Sequence, residues 1–168
     1  MKKNKHLKVA VIMGSQSDYK TMQFCTKILK KMAVKFETKI ISAHRTPKRM
    51  YEFANAAKKN NFGVIIAGAG GSAHLPGMIS AITSIPVLGV PIESKKLKGL
   101  DSLLSIAQMP KGVPVATVAI GKAGAINAGH LAAQMLAISD EKLESAIKEA
   151  RIQQKQQLKK ENDELQAS

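Results

Sequence analysis

Lys8-Val9-Ala10-Val11-Ile12-Met13-Gly14 is a short apolar run, rich in β-branched residues and stopped by glycine. A half-buried strand alternates apolar with polar side chains. This one does not alternate, so it reads as a strand covered on both faces. A helical spacing of apolar residues follows over 18–32. The same succession recurs: a strand over 36–41, a helix over 47–60, a strand over 63–67 running into a glycine-rich turn, and strands over 86–90 and 113–120. An alanine-rich helix over 123–137 comes last before residue 139. Continuous apolar strands separated by helices imply an α/β fold with a parallel sheet covered on both faces. Right-handed crossovers then bring each strand-to-helix loop to the carboxyl edge of the sheet, where open α/β folds bind ligands.

The composition bounds what such a fold can do. A chain of 168 residues fits one domain. With 45% hydrophobic but only 4% aromatic residues, its core is built from Val, Ile, Leu, Ala and Met. The single cysteine, Cys25, excludes an intrachain disulfide and a cysteine metal cluster, and points to a reducing cytoplasm. Residues 1–8 are basic, but the apolar run behind them is too short for a signal peptide, and no stretch approaches the ~20 residues of a membrane span. The expected division is a basic tail over 1–7, a catalytic α/β domain over 8–138 and a C-terminal helix over 139–168. That helix carries Leu143, Ile147, Ala150 and Leu158 on a sparse stripe and is mostly Gln, Lys and Glu beyond Arg151, so it is expected to dock on another subunit.

A net charge of +14 invites a nucleic-acid reading. Yet the lysines are dispersed over residues 1–138, and no aromatic residues interleave with them as a stacking platform requires. The expectation is a solvated basic surface that steers an anionic substrate, with a basic nucleic-acid-binding module as the alternative from a different class.

Three loops carry unusual residues. In Met13-Gly14-Ser15-Gln16-Ser17-Asp18, glycine permits a tight turn and the hydroxyls lie where a helix presents unpaired N–H groups. That suits a phosphate, with Asp18 better placed on a ribose hydroxyl; capping by Ser17 or Asp18 is the plainer explanation. In Ser42-Ala43-His44-Arg45-Thr46-Pro47, Pro47 fits a first helical turn and Thr46 its cap. Arg45 is suited to hold a phosphate bidentately and His44 to move a proton. Set between the other two loops, this segment is expected to form the middle wall of a nucleotide site.

In Gly68-Ala69-Gly70-Gly71-Ser72-Ala73-His74-Leu75-Pro76-Gly77-Met78, the glycines leave backbone that a ligand can approach closely. Gly68-x-Gly70-x-x-Ala73, with Glu93 twenty residues on, also matches a dinucleotide fingerprint. Against nicotinamide or flavin binding, Pro76-Gly77 is expected to interrupt the receiving helix. His6 falls in the basic tail, and His130 in the alanine-rich helix is expected to serve packing or an interface. No His-x-x-x-His, carboxylate cluster or Gly-x-Ser-x-Gly elbow occurs, so neither a metal nor a serine hydrolase is indicated. The inventory suits proton transfer on a phosphorylated metabolite without a cofactor.

Taken together, these loops resemble one family, the bacterial-type N5-carboxyaminoimidazole ribonucleotide mutases of purine biosynthesis. The resemblance runs in colinear order through 11–18, 42–47, 67–78, 86–91 and 102–128, including Gln108-Met109-Pro110-x-Gly112-x-Pro114-Val115 and Ala119-Ile120-Gly121-Lys122-Ala123-Gly124-Ala125. It implies a flavodoxin-like three-layer αβα sandwich with a C-terminal helical extension, assembled as a homo-octamer in the cytoplasm. The implied activity converts N5-carboxyaminoimidazole ribonucleotide to 4-carboxy-5-aminoimidazole ribonucleotide with no metal or other cofactor. Carried over, His44 is the general acid/base, with His74 beside it. Ser15 and Arg45 contact phosphate, Asp18 the ribose, and Ser42, Gly70, Gly71, Ser72 and Leu75 surround the migrating carboxyl group. Ser72 stands where the family usually has alanine. Animal-type carboxylases, which use free carbon dioxide, place Lys-Gly-Pro after the histidine; Arg45-Thr46-Pro47 aligns this chain with the mutases. Direct carboxylation by carbon dioxide is the alternative within the enzyme class.

Overall fold

The computed structural model describes residues 7–166. The expected tail over 1–7 therefore lies, except for Leu7, outside the described residues. Strand β1 (Lys8–Met13) is buried from Val9 onward, as its continuous apolar run requires. Val9, Val11 and Met13 enter one core, while Ala10 and Ile12 enter a second on the opposite face. This period of two, apolar on both sides, is the signature of a central parallel strand.

A 3-10 turn over Gln16–Asp18 leads into α1 (Tyr19–Lys31), which buries Met22, Cys25 and Leu29 at helical spacing. Then follow β2 (Phe36–Ile40), α2 (Pro47–Ala56), β3 (Phe62–Gly70), α3 (Leu75–Ser80), β4 (Val87–Ile92), α4 (Leu100–Ala107), β5 (Ala116–Thr117), α5 (Gly121–Ala137) and α6 (Glu141–Gln166). The sheet order is β2-β1-β3-β4-β5 and every pairing is parallel. Helices α1 and α5 cover one face, and α2, α3 and α4 the other. This is the expected flavodoxin-like sandwich, and its winding reverses between β1 and β3.

Four departures from the sequence expectation have plain physical causes. Strand β3 runs on to Gly70, absorbing two glycines assigned to the turn, because Ala67, Gly68, Ala69 and Gly70 still pair with β4. Helix α2 ends at Ala56, short of residue 60, and Asn61 turns the chain through a left-handed conformation (φ 60°). Pro76 and Gly77 do not interrupt α3; they lie in its first turn, where the missing proline N–H costs nothing. Strand β5 shrinks from the expected 113–120 to two residues, since Pro114 has no N–H to give and only Ala116 and Thr117 pair with β4.

The C-terminal helix is capped by Asp140, whose Oδ1 accepts the Leu143 N–H at 3.1 Å. Leu143, Ile147 and Ala150 pack on the α1/α5 core of their own chain, which corrects the expectation that the whole stripe awaits another subunit. Residues 151–166 are exposed throughout, with Ile152, Leu158 and Leu165 among them. Cys25 is fully buried beneath α5, and burial pushes its thiol up to about 12. His130 on α5 is partly buried, and desolvation, reinforced by Lys31 of α1 and Arg151 of α6, lowers its pKa.

Two expectations follow for stability. A Cβ added at Gly124 would lie 1.6 Å from the Ala119 carbonyl oxygen, whereas one at Gly112 (φ 93°) meets nothing within 4 Å. Gly124→Ala should therefore cost about 3 kcal/mol or more in chemical denaturation, and Gly112→Ala about 1–2 kcal/mol from backbone strain alone. Because the fold favours neutral His130, its contribution is intact above the unfolded value near 6.5 and drains away as pH falls below it. His130→Gln should flatten the decline in melting temperature between about pH 6.5 and 5.

Candidate functional site

A cleft of about 460 Å³ opens at the carboxyl edge of the sheet, over the reversal between β1 and β3. Its lining includes Ser15, Asp18, Ser42, His44, Arg45, Gly70, Gly71, Ser72, His74 and Leu75, so every site residue expected from the sequence meets in one cavity. Gly14, Ala43, Ala69, Ile92, Glu93 and Ser94 complete the wall. The last three come from the end of β4 and its loop; Glu93 drew notice only through the fingerprint, and Ile92 and Ser94 had no signal but position, since the β4 loop must reach the same edge as the others.

The loop after β1 is held by its own acid. The Ser15 N–H donates to Asp18 Oδ2 at 3.1 Å, and the Ser17 hydroxyl lies 3.4 Å from Asp18 Oδ1. Asp18 thus closes the turn through its carboxylate. The Ser15 and Ser17 hydroxyls face each other at 2.5 Å.

The loop after β2 closes on itself. Thr46 Oγ1 accepts the Ser42 N–H at 3.0 Å and donates to the Ser42 carbonyl at 3.0 Å. Thr46 stands at the cap position of α2, but its hydroxyl is spent on Ser42 and caps no helical N–H. The Ser42 hydroxyl in turn accepts from the Arg45 N–H at 3.1 Å and from Nε at 3.4 Å. One arm of the Arg45 guanidinium donates to the Gly14 carbonyl at 2.7 Å, tying the β2 loop across the β1 loop. The guanidinium retains N–H donors beyond these contacts, and Arg45 is exposed along the cleft.

Sheet order corrects one expectation. Strand β2 is an edge strand, so the middle wall belongs to the turn at 14–18, and the segment 42–47 reaches over it from the side. That reach brings His44 to His74: Nε2 of one lies 2.8 Å from Nδ1 of the other, with the rings edge-on at 88°. One imidazole must donate and the other accept, so tautomers of the two rings are coupled. Double protonation would set two N–H groups against each other. Both rings are exposed to the cleft, within reach of a ligand.

The glycine-rich segment is not a dinucleotide cradle. Gly68 and Gly70 lie within β3, and a Cβ on Gly68 would fall 2.5 Å from Met22 Sδ. Gly68 is glycine because α1 presses on the strand there. Gly71 makes the turn, with φ 68° and open space around it. Glu93 lines the cleft beside this turn, although its fingerprint role has lapsed. Among the described residues no group of three His, Cys, Asp or Glu side chains is arranged to hold a metal ion, and no helix is long and apolar enough to cross a membrane.

The AIR carboxylase family model matches residues 8–157. The N5-carboxyaminoimidazole ribonucleotide mutase of Bacillus subtilis is 55% identical over 157 residues, covering 94% of this chain and 97% of that protein. The Escherichia coli K12 protein of the same name is 54% identical over 149 residues, covering 89% and 88%. Among solved structures, Treponema denticola PurE superposes with a TM-score of 0.85 at 23% identity, covering 94% and 97% of the two chains, a likeness of fold.

Arg45→Lys tests the guanidinium geometry. An ammonium keeps the charge but cannot bond the Gly14 carbonyl and present a second planar donor pair to an anion. Affinity for a sugar phosphate, read by calorimetry, should fall about tenfold.

Proposed function

The chain belongs to the AIR carboxylase family, and from that premise we propose that it interconverts N5-carboxyaminoimidazole ribonucleotide and 4-carboxy-5-aminoimidazole ribonucleotide in purine biosynthesis. The observation that best supports this reading is the convergence of a hydrogen-bonded histidine pair, an arginine and glycine backbone in one cleft. The mutase relatives at 54–55% identity favour rearrangement over direct carboxylation.

The chemistry needs little more than those groups. The N–C bond of the carbamate breaks, carbon dioxide leaves, and the exocyclic nitrogen takes up a proton. The ring carbon then attacks carbon dioxide, the new C–C bond forms, and the ring carbon gives up its proton. One proton enters and one leaves, so the sum is an isomerisation. A single acid/base centre serves both steps. In this reading His44 delivers and removes the proton, and His74, 2.8 Å away, holds the tautomer that His44 requires. Ser15 and Arg45 bind the phosphate and Asp18 the ribose, leaving Ser42, Gly70, Gly71, Ser72 and Leu75 around the carboxyl group. A small pocket with backbone walls keeps carbon dioxide close to the ring carbon between the two steps.

The same reading makes the protein a cytoplasmic homo-oligomer, an octamer by family resemblance, with 8–138 as the catalytic unit. The exposed residues 151–166 of α6 are the part of the C-terminal segment left to contact another subunit.

Purified protein should accelerate conversion of the carbamate nucleotide over its spontaneous breakdown, with a chelator present. Labelled bicarbonate should exchange little into product; full incorporation would instead mark a carboxylase. His44→Asn should lower turnover by about 10²–10⁴-fold while nucleotide binding persists. Substantial residual turnover would move the proton transfer to another group.

A further inference from the structure

Outside the cleft wall, one polar side chain among the described residues is wholly buried and both donates and accepts a hydrogen bond directly beneath the glycine turn. Ser102, in the first turn of α4, has no exposed surface. Its hydroxyl donates to the Ile92 carbonyl at 2.7 Å and accepts the Gly71 N–H at 2.9 Å. Ile92 and Gly70 are the last register partners of β3 and β4. The hydroxyl therefore takes over where the ladder ends, bridging two strands as they part.

Neighbouring groups fasten this bridge. Asp101 Oδ1 accepts the Ser102 N–H at 2.9 Å and the Ser94 hydroxyl at 2.7 Å, and Ser94 Oγ accepts the Gly99 N–H at 3.1 Å. The Ser94 hydrogen bond, first among several, lowers the Asp101 pKa, so the carboxylate stays an acceptor. From the other side the Ser105 hydroxyl, bonded to the Asp101 carbonyl at 2.7 Å, lies 3.3 Å from the Gly71 carbonyl. Both polar groups of Gly71 are thus turned toward α4. Three residues on stands His74, whose N–H donates to the Ser72 carbonyl at 2.9 Å and whose ring meets His44.

We propose that Ser102 is a positioning residue: by holding Gly71 in its left-handed turn from below, it sets the segment 71–74 and so the contact between His74 and His44. The clamp adds a conformational role to Gly71, which still lines the cleft with the residues that follow it. This rests on the mutase reading of the cleft for its kinetic consequence, though the geometry it asserts exists without substrate.

In Ser102→Ala the Gly71 N–H and Ile92 carbonyl lose a shared partner in the interior. The expected result is a folded protein with kcat lowered about tenfold or more and KM changed less than about threefold, since the ribose phosphate is held by other loops. In substrate-free protein, the imidazole nitrogen resonances of His44 and His74 should both move. A lowered melting temperature with kcat and both resonances as in the parent would leave Ser102 a core residue only and overturn the proposal. If Ser102→Ala does not fold, Ser102→Cys, with a weaker donor and acceptor in the same place, should displace the resonances; parent-like resonances there would overturn it too. Absence of mutase activity in the parent would defeat the functional reading while the resonances still judge the clamp.

Discussion

Parallel strands can pair only if the chain crosses back over a face of the sheet between them. From β1 the chain crosses by α1 to β2 on one side, and then by α2 to β3 on the other. The two crossovers cover opposite faces. The loops that leave β1 and β3 therefore diverge, and no helix fills the gap between them. The cleft depends on this one pairing. Met13 and Gly68 are register partners, so the turn at 14–18 and the turn beyond Gly70 begin almost level.

Much of this architecture was legible. The five strands and helices α1, α2, α5 and α6 follow from apolar runs alternating with helical periods, and the location of the site follows from the crossover rule. The expected site residues come together because each sits at the end of a strand or in the loop or helix start that follows it. What escaped is of two kinds. Register and sheet order are tertiary facts, so the edge position of β2, and with it the true middle wall, could not be read from a one-dimensional pattern. Proline effects were also misjudged: Pro114 shortened β5, while Pro76 opened a helix it was expected to interrupt. Ser102 left no mark because a serine beside Asp101 at a helix start looks like any surface position until its burial is known.

The site divides its labour between surfaces of different exposure. Groups that would touch a ligand, His44, Arg45, Ser72 and His74, are exposed. Ala43, Ala73 and Ser102 behind them are buried. An open mouth lets an anionic nucleotide enter from a strongly basic surface, and the buried layer limits how far the reactive groups can wander once it has arrived. On the other face of the sheet α1 and α5 approach closely: a Cβ at Gly129 would lie 2.9 Å from Ile28 Cβ and 3.0 Å from the Cys25 carbonyl oxygen, and α5 is accordingly built largely of alanine and glycine.

That close approach has a practical corollary. It seals Cys25, the only thiol in the chain, under α5 in its protonated state. Because only a thiolate at the surface reacts readily, the folded protein is expected to react little with maleimides and iodoacetamides. Any cysteine placed on the surface, at the cleft mouth or along the exposed end of α6, would be the sole labelled position. The native chain is already a background-free scaffold for fluorophore or spin-label distance measurements, and appearance of Cys25 reactivity would report that α5 has lifted from α1.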